Sequence, residues 1–339
     1  MTDDWKQQLD RLHAEMMQRN DPAEWVAEAD AVDASHRYPN LLVRGPVFGI
    51  AVQDPQHDGH WRLLTDLADG MPQQARDALN SHLWFQAKDE TDDPAERREL
   101  LAAVAVLERE PVNELEALGL RYRVVRADEF VRSGDDGLEP ARPTDREPAE
   151  RSWDGTYDFA LPDPGFVLAP GHTDTSPATA ALRLGLRDFA YTGNAIAKAL
   201  REDSQRAVTT HPDMILLPTG FSVAERNEKG WRPQGGLLPT PHAARRMLYE
   251  TMTESWPFLG EFDDAQKAAR AEAAERFKNA GRANEVHVGD SLFRICRIER
   301  LARSGPDGPE PPRPSDRDQY EPMQMHPTMD EDGTVHHGS

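Results

Sequence analysis

Arg123 to Arg146 reads RVVRADEFVRSGDDGLEPARPTDR and Arg294 to Arg317 reads RICRIERLARSGPDGPEPPRPSDR, in one register without a gap, since 294 − 123 and 317 − 146 both equal 171. Thirteen of the 24 positions are identical, including Arg123/Arg294, Arg126/Arg297, Arg132/Arg303, Glu139/Glu310, Arg142/Arg313 and Asp145/Asp316. Most others exchange like for like, such as Val124/Ile295, Phe130/Leu301 and Thr144/Ser315. Identity on this scale reads as a tandem duplication, and a repeat sets the fold expectation ahead of local propensity.

The match continues outward on both sides. Tyr38-Pro39-Asn40 aligns with His211-Pro212-Asp213 and Phe48-Gly49-Ile50-Ala51 with Phe221-Ser222-Val223-Ala224, both at an offset of 173. Trp61-Arg62 meets Trp231-Arg232 at 170, and Pro72, Ala75, Arg76 and Leu79 meet Pro241, Ala244, Arg245 and Leu248 at 169. The offset drifts only in turns, where insertions collect. The expected fold is therefore α+β: two β-β-α-α-β units related by a pseudo-twofold, with mainly antiparallel sheet and helices packed outside.

Local signals divide the chain. Residues 1–37 read as two helices, the second opened by Asp21-Pro22-Ala23-Glu24 with its apolar face starting at Trp25 and Val26. Residues 38–146 form the first repeat, with a strand from Asn40 to Gln53 interrupted near Gly45-Pro46. Its hairpin partner starts at Trp61, and two helices start at Pro72 and at the Asp93-Pro94 cap. Residues 147–177, rich in Pro, Gly, Asp and Thr, read as an irregular linker anchored by Trp153, Tyr157, Phe159, Phe166 and Val167. Linking helices follow over 178–210, the second repeat over 211–317, and a polar, aperiodic tail over 318–339 that is expected to be mobile unless it folds back.

The totals limit the function classes. The 339 residues carry a net charge of −21, with 38% hydrophobic and 29% charged residues. That balance disfavours nonspecific binding to nucleic acid or to anionic membrane, so neither partner is expected. No run of about 18 apolar residues is present, and the amino terminus reads as an acidic amphipathic helix, so a soluble, cytoplasmic protein is expected. The single cysteine, Cys296, excludes an internal disulfide and reads as a small buried apolar residue.

The doubled turn Arg-Ser-Gly-x-Asp-Gly and the Glu-Pro-x-Arg-Pro after it admit two readings. In the structural one, glycine supplies positive φ, proline stiffens a polyproline-like strap, and Arg142 or Arg313 neutralises Glu139 or Glu310. In the functional one, Arg123, Arg126, Arg142 and Asp145, with Arg294, Arg297, Arg313 and Asp316, line a pair of related pockets for an anionic group, because guanidinium forks suit carboxylate and phosphate. Arg123 and Arg126 are three apart, so in a regular strand they face opposite ways. The straps also match PxxP, a short and common pattern.

Other candidates are weaker. His57 and His60 form H-x-x-H in a turn without fixed geometry, and the matching turn at 225–230 has no histidine. His326, His336 and His337 lie in the tail near Asp330, Glu331 and Asp332, and no metal site is assigned to them. His172-Thr-Asp174 and His211-Pro-Asp213 have no nucleophile at a recognisable elbow, and GxSxG, Walker A, GxGxxG, HExxH and HRD motifs are absent. No catalytic residue and no cofactor is assigned. The tryptophans Trp61, Trp84, Trp231 and Trp256 read as core or interface anchors.

The stretches MTDDW, YPNLLVRGPVFGIA, SHLWF, RYRVVRADEF, LRLGLRDFAY, FRICRIERL, GPDGPEPPRPSD and MHPTMDEDGTVH resemble an actinobacterial family of proteins of unknown function across nearly the whole chain. The resemblance implies no activity and assigns no site residue. The leading expectation is a noncatalytic protein-binding or scaffold protein with an unidentified protein partner, engaged through a groove between the repeats or through the strap. The first alternative is an enzyme or small-ligand sensor in which Arg126, Arg142, Arg297 and Arg313 converge on a concave pocket for an anionic metabolite. The second is a purely structural homo-oligomer.

Overall fold

The computed structural model describes residues 22–154, 159–170, 177–194, 196–259 and 262–336. The first expected helix, the Asp21 cap, Tyr157, His172, Asp174 and His337 lie outside the described residues. Helix α1 (Pro22–Arg37) leads into β1 (Asn40–Gln53), which pairs antiparallel with β2 (Trp61–Leu63). The ladder of β1 shifts register between Val43 and Gly45, as proline at 46 and the positive φ of Gly45 (148°) require. Helices α2 (Pro72–Phe85) and α3 (Pro94–Leu107) follow, the second capped by the Asp93 side chain, which accepts from Ala95 N. Then come β3 (Glu114–Ala117), β4 (Leu120–Gly134) and the short β5 (Gly137–Leu138).

The later part runs through α4 (Pro177–Gly185), α5 (Lys198–Thr210), β6 (Asp213–Leu216), β7 (Gly220–Asn227) and β8 (Gly230–Leu238). Helices α6 (Pro241–Glu250), α7 (Trp256–Leu259) and α8 (Asp264–Asn279) precede β9 (Glu285–Val288), β10 (Ser291–Gly305) and β11 (Gly308–Pro309). Both α2 and α6 widen into a π-helical stretch at their ends, Gln86–Glu90 and Thr251–Ser255. Asp263 and Gln266 close a capping box on α8, and Gly281 follows it at φ 68°.

One sheet takes the order β2-β1-β4-β10-β7-β8, with β3 and β5 on β4 and with β6, β9 and β11 on β10. Its centre is the antiparallel β4–β10 pair, where Glu129 faces Arg300 and the pairs Phe130/Glu299 and Asp128/Leu301 flank them. Glu129 and Arg300 themselves differ by 171, so the pairing maps onto itself under the sequence offset. Phe48, Ile50, Leu79, Leu83, Leu100 and Val124 pack between β1, β4, α2 and α3, and Phe221, Val223, Leu248, Met252, Phe277 and Ile295 pack between β7, β10, α6 and α8. Burying a leucine- or phenylalanine-sized side chain stabilises by about 1.5–3 kcal/mol, so these two clusters hold the helices to the sheet.

Three expectations need correction. The β-β-α-α-β reading omits β3 and β9, which form hairpins with β4 and β10. The β3 turn is Leu118-Gly119, both with positive φ, and lacks the Asn-Gly letters that signal a tight hairpin. The tail folds back: Asp318 pairs with Arg76 at 2.8 Å, Trp84 Nε1 donates to Pro327 O at 3.1 Å, and His326 stacks on Trp84 at 4.6 Å. It ends in a hairpin, β12 (Thr328–Met329) with β13 (Val335–His336), whose Met329 and Val335 rest on the first core cluster. Single side chains anchor it, so it carries no periodic pattern. Among the linker aromatics, Phe166 packs on the core and Trp153 meets His242 edge to face, but Phe159 is exposed, as are Trp25 and Val26 on α1. Leu161, Asp163 and Leu168 are the buried linker anchors, Asp163 forming a bidentate ion pair with Arg300.

Candidate functional site

The strap after β4 packs against β10, and the strap after β10 packs against β4. Arg123 Nη1 donates to Asp307 O at 2.8 Å and Pro309 O at 3.0 Å, and Arg294 Nη1 donates to Asp136 O at 2.8 Å and Leu138 O at 2.6 Å. Their guanidinium carbons sit 4.8 Å and 5.0 Å from the rings of Trp61 and Trp231. Gly308 and Gly137, at φ 108° and 97°, run against those same tryptophans, where any Cβ would collide. The straps are also tied by backbone, Arg126 N to Glu310 O at 3.0 Å and Arg297 N to Glu139 O at 3.1 Å.

The eight sequence candidates therefore sort by exchange. Arg126 meets Asp316 at 3.0 Å beside Arg313, while Arg297 meets Asp145 at 3.0 Å beside Arg142. Arg123 and Arg294 go to the two turns instead, as the odd spacing on the strand demands. Within each strap the expected neutralisation is present: Arg142 Nε donates to Glu139 at 2.6 Å and Arg313 Nε donates to Glu310 at 2.7 Å. Arg142 N and Arg313 N each donate to the following aspartate at 2.7 Å.

The cluster around Arg126 is closed. Its Nη1 donates to Asp128 at 2.9 Å and its Nη2 to the Tyr191 hydroxyl at 3.1 Å, while that hydroxyl donates to Asp128. Arg303 nearby donates to Phe189 O at 2.9 Å, and Arg313 spends a second nitrogen on Glu310 at 3.0 Å. Burial alone would lower the Arg126 guanidinium, but Asp128 and Asp316 together carry it above its ordinary value, so it stays charged.

The cluster around Arg297 borders a cavity of about 1000 Å³. The cavity lies between α1, α4, the strap and the end of β6, walled by Leu41, Leu182, Leu186, Leu216 and Leu217 and by Arg132, Arg142, Arg297, Asp145 and Glu299. Helix α1 is held over the strap by Asp30, which accepts from Thr144 Oγ1 at 2.5 Å; α5 holds the other strap through Asp203 and Ser315 N at 2.9 Å. Arg297 is fully engaged by Asp145, Glu299 and Thr219 Oγ1. Arg132 is not: its side chain is 13% exposed, its nearest carboxylate oxygen, on Glu139, is 4.0 Å away, and its Nε is buried without an acceptor. Arg142 uses only Nε within the protein. Burial pushes the Arg132 guanidinium below its ordinary value, with Glu139 and Glu299 opposing the shift.

Of the four arginines expected to converge, Arg142 and Arg297 line this cavity, and Arg126 and Arg313 lie under Tyr191. Arg132, Glu299, Thr219 and Tyr191 join the site only through the fold. The matched pair Arg132/Arg303 was visible in the repeat, yet nothing in the letters distinguishes a satisfied arginine from a spare one. Cys296 is buried, with its thiol pushed up to about 12 by that burial, which opposes thiolate chemistry. Among the described residues no group of three His, Cys, Asp or Glu side chains is placed to hold a metal ion, and no helix is long and apolar enough to cross a membrane.

No curated protein and no solved structure matches the chain. Residues 21–319 match DUF5954, a family of unknown function, and the chain belongs to that family.

Proposed function

We propose that this chain is a noncatalytic small-molecule-binding protein whose ligand places a hydrogen-bond-accepting, anionic group on Arg132 and Arg142. The observation that carries the reading is the contrast between Arg132 and Arg303. At matched positions, Arg303 donates to a backbone carbonyl of the chain, whereas Arg132 lines the cavity with no hydrogen-bond acceptor for its Nε and only a 4.0 Å ion pair to Glu139. A half-buried guanidinium with one long ion pair has donors to spare, and an acceptor brought by a ligand adds the hydrogen bonds it lacks. The apolar walls suit the remainder of such a molecule. A strap-mediated protein partner has less support, because Glu139, Ala141, Glu310 and Arg313 are buried.

The reading also includes descent from a duplicated β-β-α-α-β unit, with two repeats about a pseudo-twofold and the division at 38–146 and 211–317. The self-mapping pairing of β4 with β10 and the exchanged arginine contacts support it. A cytoplasmic location without nucleic-acid partners belongs to the same proposal, on the net charge of −21.

The test is a thermal-shift and calorimetric screen of small carboxylates on the full chain and on Arg132→Gln. A ligand at a hundred times its Kd stabilises by about 2.7 kcal/mol, which raises the melting point by several degrees. The expected result is a shift in the wild type that Arg132→Gln abolishes while keeping a native circular dichroism spectrum and melting point. Carboxylates that bind both proteins equally, or neither, would sink the reading.

A further inference from the structure

The cavity carries a second unsatisfied polar group, of the opposite kind. Glu28 on α1 lines the same space as Arg132, and its Oε2 is buried without a hydrogen-bond donor. It forms no ion pair with Arg132 or Arg142 across the cavity. Arg132 and Glu28 thus line one cavity without pairing with each other.

The charge inventory narrows what could answer both. The cavity wall holds three guanidinium groups, Arg132, Arg142 and Arg297, and four carboxylates, Glu24, Glu28, Asp145 and Glu299. A dianion such as phosphate would bring two negative charges into a wall that already has more carboxylates than guanidinium groups, and like charges at short range repel. A simple monocarboxylate would satisfy Arg132 and leave Glu28 as it is. An amine alone would do the reverse. A molecule with one carboxylate and one ammonium satisfies both without adding net charge.

Resting on the binding reading above, we infer that the ligand is a zwitterion with an apolar body, in the chemical class shared by apolar amino acids and short apolar peptides. Its carboxylate accepts from Arg132 and Arg142, its ammonium donates to Glu28, and its side chain lies on Leu41, Leu182 and Leu216. A site that hydrogen-bonds both ends discriminates strongly against analogues lacking either, because each missing end leaves a buried group unpaired.

The experiment is isothermal titration of the full chain at pH 7.5 with leucine, phenylalanine and the peptides Leu-Leu and Leu-Leu-Leu. The controls are 4-methylpentanoate, which is leucine without its amine, and 3-methylbutylamine, which is leucine without its carboxylate. At least one zwitterion should bind tenfold or more tightly than either control, and the free amino acids and the peptides separate the two sources. Glu28→Gln should weaken the zwitterion tenfold or more and leave 4-methylpentanoate unchanged. Arg132→Lys, which keeps the charge and the fold, should weaken every carboxylate probe. If 4-methylpentanoate binds as tightly as leucine and Glu28→Gln changes nothing, the zwitterion inference falls and the binding reading stands. If the zwitterions do not bind at all, the inference falls, and the monocarboxylate result alone then decides the broader reading.

Discussion

Arg126 and Arg297 occupy matched positions on adjoining strands. Each has an acid two residues on, Asp128 or Glu299, and each is met by an aspartate from the strap that follows the other strand, yet their surroundings diverge. Tyr191 accepts from Arg126 and the carbonyl of Phe189 from Arg303, whereas the space beside Arg297 is a cavity. The same charged motif is thus covered by Tyr191 in one place and borders open space in the other. The difference lies in what covers each motif, since the motif letters are nearly the same.

The comparison predicts unequal costs for equal substitutions. Arg126, with a side chain 0% exposed, leaves the buried carboxylates Asp128 and Asp316 without their main cationic partner when it is removed. Arg126→Gln should therefore cost about 3–5 kcal/mol in urea unfolding. Arg297 is 13% exposed at the cavity wall, where water reaches the acids it leaves behind, so Arg297→Gln should cost about 1–3 kcal/mol. Equal losses would mean that the cavity contributes no solvent access and that the two clusters are alike.

The covering elements explain how much was legible. The arginine–aspartate motif, the internal Glu139–Arg142 and Glu310–Arg313 pairs, the Asp93 and Asp263 caps and the break at Gly45-Pro46 follow from local spacing, and each is present. The exchange of straps does not follow, because periodicity tells which way a side chain faces and not which strand lies across from it. Asp163 gave no signal either: one acid in an irregular stretch looks solvated until the fold brings Arg300 to it. The cavity was illegible for a related reason. It arises from segments that differ between the repeats, so no matched letters mark it.

A sharper test uses the second arginine of each cluster. Arg303→Gln removes a donor to Phe189 O and should cost about 1.5–3 kcal/mol. Arg132→Gln removes a guanidinium that burial disfavours and whose ion pair to Glu139 is 4.0 Å long, so its stability should change by less than about 0.5 kcal/mol or rise. A position kept at no gain in stability is one expected of a binding residue. Should Arg132→Gln unfold as readily as Arg303→Gln, the spare donor has a structural partner and the contrast between the clusters disappears.

The remaining prediction concerns the sheet rather than the arginines. Asp69 pairs with Phe48 as Leu238 pairs with Phe221, so a carboxylic acid stands in one strand contact where a buried leucine stands in the other. Burial, reinforced by Asp66 and Asp77, raises the Asp69 carboxyl from its ordinary 3.8 to about 6. A raised folded value means that between about pH 4 and 6 the folded chain holds a proton that the unfolded chain has released. Stability attributable to this group therefore falls as pH rises through that window and stays lower above it. Asp69→Asn fixes the neutral state, so at pH 7 it should be more stable than wild type by about 1–2 kcal/mol, with the gap closing near pH 4. Urea midpoints of the two proteins from pH 4 to 8 read this directly. A gap that does not change with pH would assign the gain to packing instead, and would leave Asp69 and Leu238 as equivalent members of their strands.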